Sequence, residues 1–251
     1  MQLNFDTGHG DAWPAAADID ARVAAMDWDP FCASLDAEGY ATIAGLLPAR
    51  ECGALASLYS RDDLFRRRVV MARHGYGRGE YRYFAYPLPA PVAALRAAFY
   101  PRLVMTANRW NAAMGIDVAF PNRLDEFIER CHRAGQERPT PLLLRYQAGD
   151  YNCLHQDLYG EQVFPLQVAV LLSEPGRDFT GGEFVLTEQR PRMQSSVEVV
   201  PLRQGDAVVF AVRQRPRPGT RGIYRVTMRH GVSRLRSGHR DTLGIIFHDA
   251  A

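Results

Sequence analysis

Two spacings of apolar positions divide the chain near Pro141. Before that point, apolar residues recur every three to four positions in ADIDARVAAMDW, LLPARECGALASLY, PAPVAALRAAFYPRLVMTANRW and NRLDEFIERCHRA, which predicts four helices. Pro48 suits a first helical turn, and Asn122 suits a cap. GYATI and the pair FRRRVVMA and EYRYFAY, set around a turn rich in glycine at Gly75, Gly77 and Gly79, predict shorter strands. After Pro141 come eight β-rich runs: LLLRYQ, YNCLH, FPLQVAVLLS, GEFVLTE, SVEVVPL, DAVVFA, IYRVTMRHGVSRL and TLGIIFH. Turn residues such as Gly149-Asp150, Gly181-Gly182, Gly205-Asp206 and Gly238 separate them.

Eight short strands following a helical half predict a mainly β fold with flanking α-helices, built as a sandwich or a double-stranded β-helix. The simplest organisation is one composite domain over residues 1–251. A helix-rich region, 1–140, then supports a β core, 141–251.

Composition narrows the chemistry. All 30 basic residues are arginine and the formal net charge is +2, so a Schiff-base lysine, a Ser-Lys dyad and a lysine-bearing phosphate loop are excluded. Nothing in the net charge calls for a polyanionic partner. Cys32, Cys52, Cys131 and Cys153 form no Cys-x-x-Cys pair, which argues against a structural zinc site and for free thiols. The N-terminus carries no basic-then-apolar leader and no run is long enough to span a membrane, so a cytoplasmic protein is expected.

The candidate chemistry lies in histidine and aspartate. In an extended segment, residues two apart point the same way, so a His-x-Asp pair joined by a distant His can converge on one metal ion. Two imidazoles and a carboxylate on one face leave positions open on iron(II), as co-substrate and dioxygen require. Three such pairs occur: His9-Gly-Asp11, His155-Gln-Asp157 and His239-Arg-Asp241. The first has no strand ahead of it and the third lies too near the end for a downstream partner. The second opens the β-rich region.

Around that pair the residues resemble the prolyl-4-hydroxylase-like branch of the Fe(II)- and 2-oxoglutarate-dependent oxygenases. Tyr146, Gly149, His155 and Asp157 stand at the family's spacing, followed in order by Gly181-Gly182-Glu183, Gly205-Asp206, His230 and Arg240. The resemblance covers about residues 141 to 249. It implies a double-stranded β-helix (jelly-roll, cupin-like) core, with the metal held by His155, Asp157 and His230. It also implies 2-oxoglutarate bound by Arg240 and Tyr146, with ascorbate as a further candidate cofactor. The implied reaction is hydroxylation of a protein side chain or small molecule, releasing succinate and CO2.

Two other readings stay open: a nucleic-acid demethylase of the AlkB type, and a non-catalytic cupin-like metal-binding module. AlkB-type enzymes place the co-substrate arginine about seventeen residues after the distal His, where this chain has Phe247, so a nucleic-acid partner is not the expectation. Two arginine-rich segments could nevertheless touch substrate. One interleaves Arg66, Arg67, Arg68, Arg73, Arg78 and Arg82 with Phe65, Tyr76, Tyr81, Tyr83 and Phe84; the other, a Pro-rich stretch expected as a rim or a plain loop, holds Arg213, Arg215, Arg217 and Arg221. His74, His132, His239 and His248 have no assigned role, though His248-Asp249 could support the metal ligands.

Overall fold

The computed structural model describes residues 16–251 apart from Arg221. His9, Asp11 and Arg221 therefore lie outside the described residues. The N-terminal half contributes α1 (Ala16–Ala24), α2 (Trp28–Glu38), β1 (Tyr40–Ile43), α3 (Ala49–Ser57), β2 (Phe65–Val70), β3 (Gly77–Arg78), β4 (Glu80–Phe84), α4 (Ala90–Ala113) and α5 (Leu124–Arg133). The C-terminal half contributes β5 (Leu142–Gln147), β6 (Tyr151–His155), β7 (Leu166–Leu171), β8 (Phe179–Gly181), β9 (Phe184–Gln189), β10 (Ser195–Val200), β11 (Ala207–Ala211), β12 (Gln214–Gly219), β13 (Gly222–Val232) and β14 (Leu235–Ile245).

These strands form two antiparallel sheets. The larger runs β1-β11-β7-β14-β5-β4-β2, with β8 added beside β14; the smaller runs β10-β9-β13-β6-β3, with β12 beside β13. The result is the jelly-roll, double-stranded β-helix core with flanking helices that the sequence pattern predicts.

Strand alternation decides what each face of the larger sheet does. Val168, Val170, Val209, Leu243 and Ile245 share one buried cluster with Phe99, Leu103, Val104 and Phe127 of the helices. Each such fully buried side chain contributes about 1.5–3 kcal/mol. Their neighbours Gln167, Ala169, Phe210, Thr242 and Gly244 point the other way, into a cavity between the sheets. The helices thus form one supporting layer, and the cavity opens on the opposite side.

Several details differ from the sequence reading. Helix α2 went unrecognised because its mixed sequence WDPFCASLDAE buries only Phe31 and Leu35. Helix α5 starts after Arg123, which sits in extended conformation with no side-chain cap, so Asn122 does not cap it. Pro48 stands just ahead of α3 rather than inside its first turn. The short β8 was also missed. The Pro-rich stretch expected as a loop is strand β12, paired with β13 from Gln214–Thr227 to Gly219–Gly222. No helix of the described residues is long and apolar enough to cross a membrane.

Candidate active site

Strands β6 and β13 are antiparallel neighbours that place His155 directly opposite His230, with ring centroids 4.2 Å apart. Asp157 follows two residues after the end of β6 and turns its carboxylate between them. His155 Nε2 lies 3.6 Å from Asp157 Oδ1, and His230 Nε2 lies 3.3 Å from Asp157 Oδ2. One ligand-capable atom from each of the three lies within 4.8 Å of the others.

The surroundings fix the protonation pattern. His155 Nδ1 donates to the Cys153 carbonyl at 2.8 Å, which leaves the Nε2 lone pair aimed at Asp157 and His230. His230 is 5 % exposed, and the rings of Phe210 and Phe184 lie 4.6 and 6.2 Å from its own. That burial, together with the adjacent His155, holds its pKa below the usual histidine value. Burial alone would raise the pKa of Asp157, but the two imidazoles and the Tyr159 hydroxyl, which donates to Oδ1 at 2.6 Å, outweigh it. Asp157 stays ionised far below the carboxylate range. Two imidazoles beside one carboxylate are a donor set that suits iron(II).

A second polar cluster lies at the other end of the same cavity. Arg240, 2 % exposed, stands in the middle of β14 opposite Tyr146 on β5, so this strand begins well before the run TLGIIFH. Its Nη1 donates to Thr242 Oγ1 at 2.5 Å, its Nε has no partner, and its guanidinium carbon lies 5.8 Å from the centre of the Tyr146 ring. No acidic side chain among the described residues forms an ion pair with it. Burial accordingly lowers its pKa. Tyr146 is fully buried, and its hydroxyl oxygen accepts from Asn152 Nδ2 at 3.3 Å. Gly182, at φ +67°, keeps the wall behind Arg240 thin, since a Cβ there would meet Leu235 at 2.5 Å and the Arg240 side chain at 3.2 Å.

The five sequence-predicted site residues, His155, Asp157, His230, Tyr146 and Arg240, therefore line one cavity of about 460 Å³. Other expectations resolve differently. Arg215, expected on a rim or a plain solvated loop, is fully buried and bound to Glu188 and to the Asp36 and Ala37 carbonyls, while Arg217 pairs with the same Glu188. In the hairpin, Arg66 bonds the Pro139 carbonyl, Arg68 pairs with Glu80 and Arg82 with Asp62, whereas Arg67, Arg73 and Arg78 stay exposed. His132 binds Asp249, which is also held by Arg96 and Tyr86, so Asp249 anchors the C-terminal segment to the helices and does not support the metal ligands. His248 is buried against Tyr159, His239 is exposed on β14, and His74 stacks on Tyr76.

Among the polar residues lining the cavity, sequence reasoning gave no role to Asn152, Gln156, Tyr159, Gln167 or Thr242. Tyr159 and Thr242 had only a signal of position, two residues from Asp157 and Arg240 respectively. Gln167 had the plainest one, a lone polar residue in the apolar run FPLQVAVLLS.

Residues 79–250 match the family Oxygenase-NA, described as an "oxygenase, catalysing oxidative methylation of damaged DNA". The chain belongs to this family. An uncharacterized protein of Mycobacterium tuberculosis is 47% identical over 191 residues, which span 74% of this chain and 82% of that protein. Among solved structures, a Pseudomonas putida prolyl-4-hydroxylase aligns at TM-score 0.52 and 17% identity over 89% of this chain and 99% of its own. A prolyl 4-hydroxylase of Phytophthora capsici aligns at TM-score 0.55 and 17% identity, over 99% of this chain and 70% of its own. This Oxygenase-NA member thus carries the prolyl-4-hydroxylase-like fold of the 2-oxoglutarate and iron(II) oxygenases. Phe247, at the AlkB-type arginine position, is buried with Tyr100 and Phe164 on the helical side and does not face the cavity.

Proposed function

We propose that the protein is an Fe(II)- and 2-oxoglutarate-dependent dioxygenase that oxidises a C–H bond and releases succinate and CO2. One observation carries this reading: a buried arginine with no acidic partner shares a cavity with a two-histidine, one-carboxylate cluster. An unpaired buried guanidinium costs several kcal/mol, and a bound carboxylate removes that cost through charge-assisted hydrogen bonds. His155, Asp157 and His230 would hold iron(II), with ascorbate as a reductant that keeps it ferrous. When bound, the metal with co-substrate and dioxygen supplies an oxidant able to take a hydrogen atom from a C–H bond. Arg240 takes the far carboxylate of 2-oxoglutarate. Tyr146 receives its hydrogen bond from Asn152, so its own proton is free to point at that same carboxylate. Phe184 and Phe210, packed on His230, keep water from the metal face.

For the substrate we favour a nucleic acid over a protein side chain or metabolite. What supports this is the family description, which names damaged DNA, and an exposed Tyr76–His74 pair at the cavity rim with Arg73 and Arg78 beside it. Hydroxylation of an N-methyl group gives N–CH2OH, which collapses to N–H and formaldehyde, a balanced route to demethylation.

Succinate release from 2-oxoglutarate with iron(II) tests the reading, comparing wild type with His155→Ala and Asp157→Ala. Wild-type turnover should exceed that of either variant at least a hundredfold, and a strand bearing N-methylated bases should stimulate it more than peptides do. Turnover that survives Asp157→Ala would sink the oxygenase assignment; stimulation by peptide alone would return the substrate to protein side chains.

A further inference from the structure

Gln167 is 5 % exposed on a strand whose other residues are all buried and apolar, yet its side-chain Oε1 has no hydrogen-bond partner. Its carboxamide makes no hydrogen bond with the described residues. A buried amide left unpaired costs about 1–3 kcal/mol, and leucine or valine would fit this strand without that cost. The group faces the cavity, and a bound ligand can supply the missing partner.

Its position says which ligand. Gln167 pairs in register with Phe210, whose ring lies 4.6 Å from that of His230, so the carboxamide sits beside the metal-binding end of the cavity. Arg240 stands five residues before Ile245, the register partner of Val168, roughly 17 Å away at the rise of a strand. The amide therefore looks into the part of the cavity remote from the co-substrate anchor.

The next inward residue on β7, Ala169, pairs with Gly244 on β14, and both line the cavity together with Leu142 and Phe210. A Cβ at position 244 would come within 2.7 Å of Leu142. At the mouth, Tyr76 is 50 % exposed and stacked on His74 with centroids 5.3 Å apart and planes 25° apart. Arg73 and Arg78, exposed on either side, form no ion pair with the described residues.

We propose that Gln167 reads the substrate: a nucleobase enters the cavity beside Ala169 and offers its amino group and the N7 ring nitrogen, the edge that an N1-methyl group leaves free, to the carboxamide. This edge pairs with a side-chain amide through one donor and one acceptor, as adenine does. The neighbouring base of a single strand stacks on Tyr76 and His74, and its phosphates meet Arg73 and Arg78. The assignment rests on the nucleic-acid reading above.

Fluorescence anisotropy tests it, using short labelled single strands that carry either one N1-methyladenine or an abasic site. Gln167→Leu should weaken binding of the methyladenine strand about tenfold, as expected for one lost bidentate contact, and leave the abasic strand unchanged. The melting temperature should be equal to or above that of wild type, and 2-oxoglutarate binding with manganese(II) should stay at its wild-type level. Equal loss on both strands, unchanged binding of the methyladenine strand, or weakened 2-oxoglutarate binding overturns the role of Gln167 alone. A wild-type protein that binds neither strand overturns the nucleic-acid reading and this assignment with it.

Discussion

Two arginines are buried equally deeply in this protein, and their surroundings could hardly differ more. Arg215 stands on β12 with its charge matched by Glu188 and its terminal nitrogens bonded to the Asp36 and Ala37 carbonyls, so it ties α2 to the smaller sheet. Arg240 lies in the larger sheet with one hydroxyl partner and no carboxylate. In the first region the folded chain itself completes the electrostatics; in the second it leaves them to be completed by something that binds. A buried charge therefore reports structure or function according to whether its counter-charge is in the chain.

The largest expected effect belongs to the satisfied arginine. Arg215→Leu should cost about 3–5 kcal/mol of folding stability in chemical denaturation, because the Asp36 and Ala37 carbonyls lose their donor and Glu188 loses its most deeply buried partner. A loss under about 1 kcal/mol would erase the distinction between the two regions. Next comes the unsatisfied arginine, where Arg240→Leu should leave stability equal or higher and weaken 2-oxoglutarate binding about a hundredfold, or about 2.7 kcal/mol. Metal affinity should hardly move in that variant. Parallel loss of metal and co-substrate would mean that Arg240 shapes the site as a whole.

The smallest effect sharpens the same contrast with a group that can shed its charge. Burial lowers the His248 pKa from 6.5 to about 4, and its Nδ1 accepts from the Phe164 amide at 3.3 Å. Because the folded pKa lies below the unfolded one, the unfolded chain binds the extra proton first, so stability falls as pH drops from 6.5 towards 4. His248→Asn keeps an acceptor for Phe164 and should remove about 2 kcal/mol of that loss between those pH values, an order-of-magnitude figure. Melting curves across the window check it; identical acid limbs for wild type and variant would assign the loss to other groups.

Much of this was legible in the chain. The eight β-rich runs became strands in order, and His155, Asp157 and His230 converge because the β6–β13 register sets His155 opposite His230 and Asp157 follows just past the end of β6. Arg240 was found by spacing, but its strand was truncated in the reading because RSGHRD looks like a turn; β14 runs through it, with Gly238 at φ +76° and a register shift against β8 absorbing the irregularity. Strand β12 hid behind Pro216 and Pro218. It pairs on one side only, with β13, so a missing amide proton is tolerated there. Arg215 was misread for the same reason, since its partners Asp36 and Glu188 are distant in sequence and only tertiary packing joins them. Gln167 shows the opposite case, a local signal that acquires meaning only when the cavity beside it is known.

The helices back the larger sheet along its breadth and reach the smaller sheet only at β12 and β13, whereas the rest of the smaller sheet, which supplies both histidines, presents its β10 edge outward, with Val197 and Val199 exposed. This divides evolutionary freedom unevenly. Replacements along the helix-backed sheet are held back by dense packing, while the outer face and connecting loops of the histidine-bearing wall can drift without disturbing that scaffold. A lineage can thus acquire new substrates by remodelling one wall of the cavity while the other keeps the fold constant.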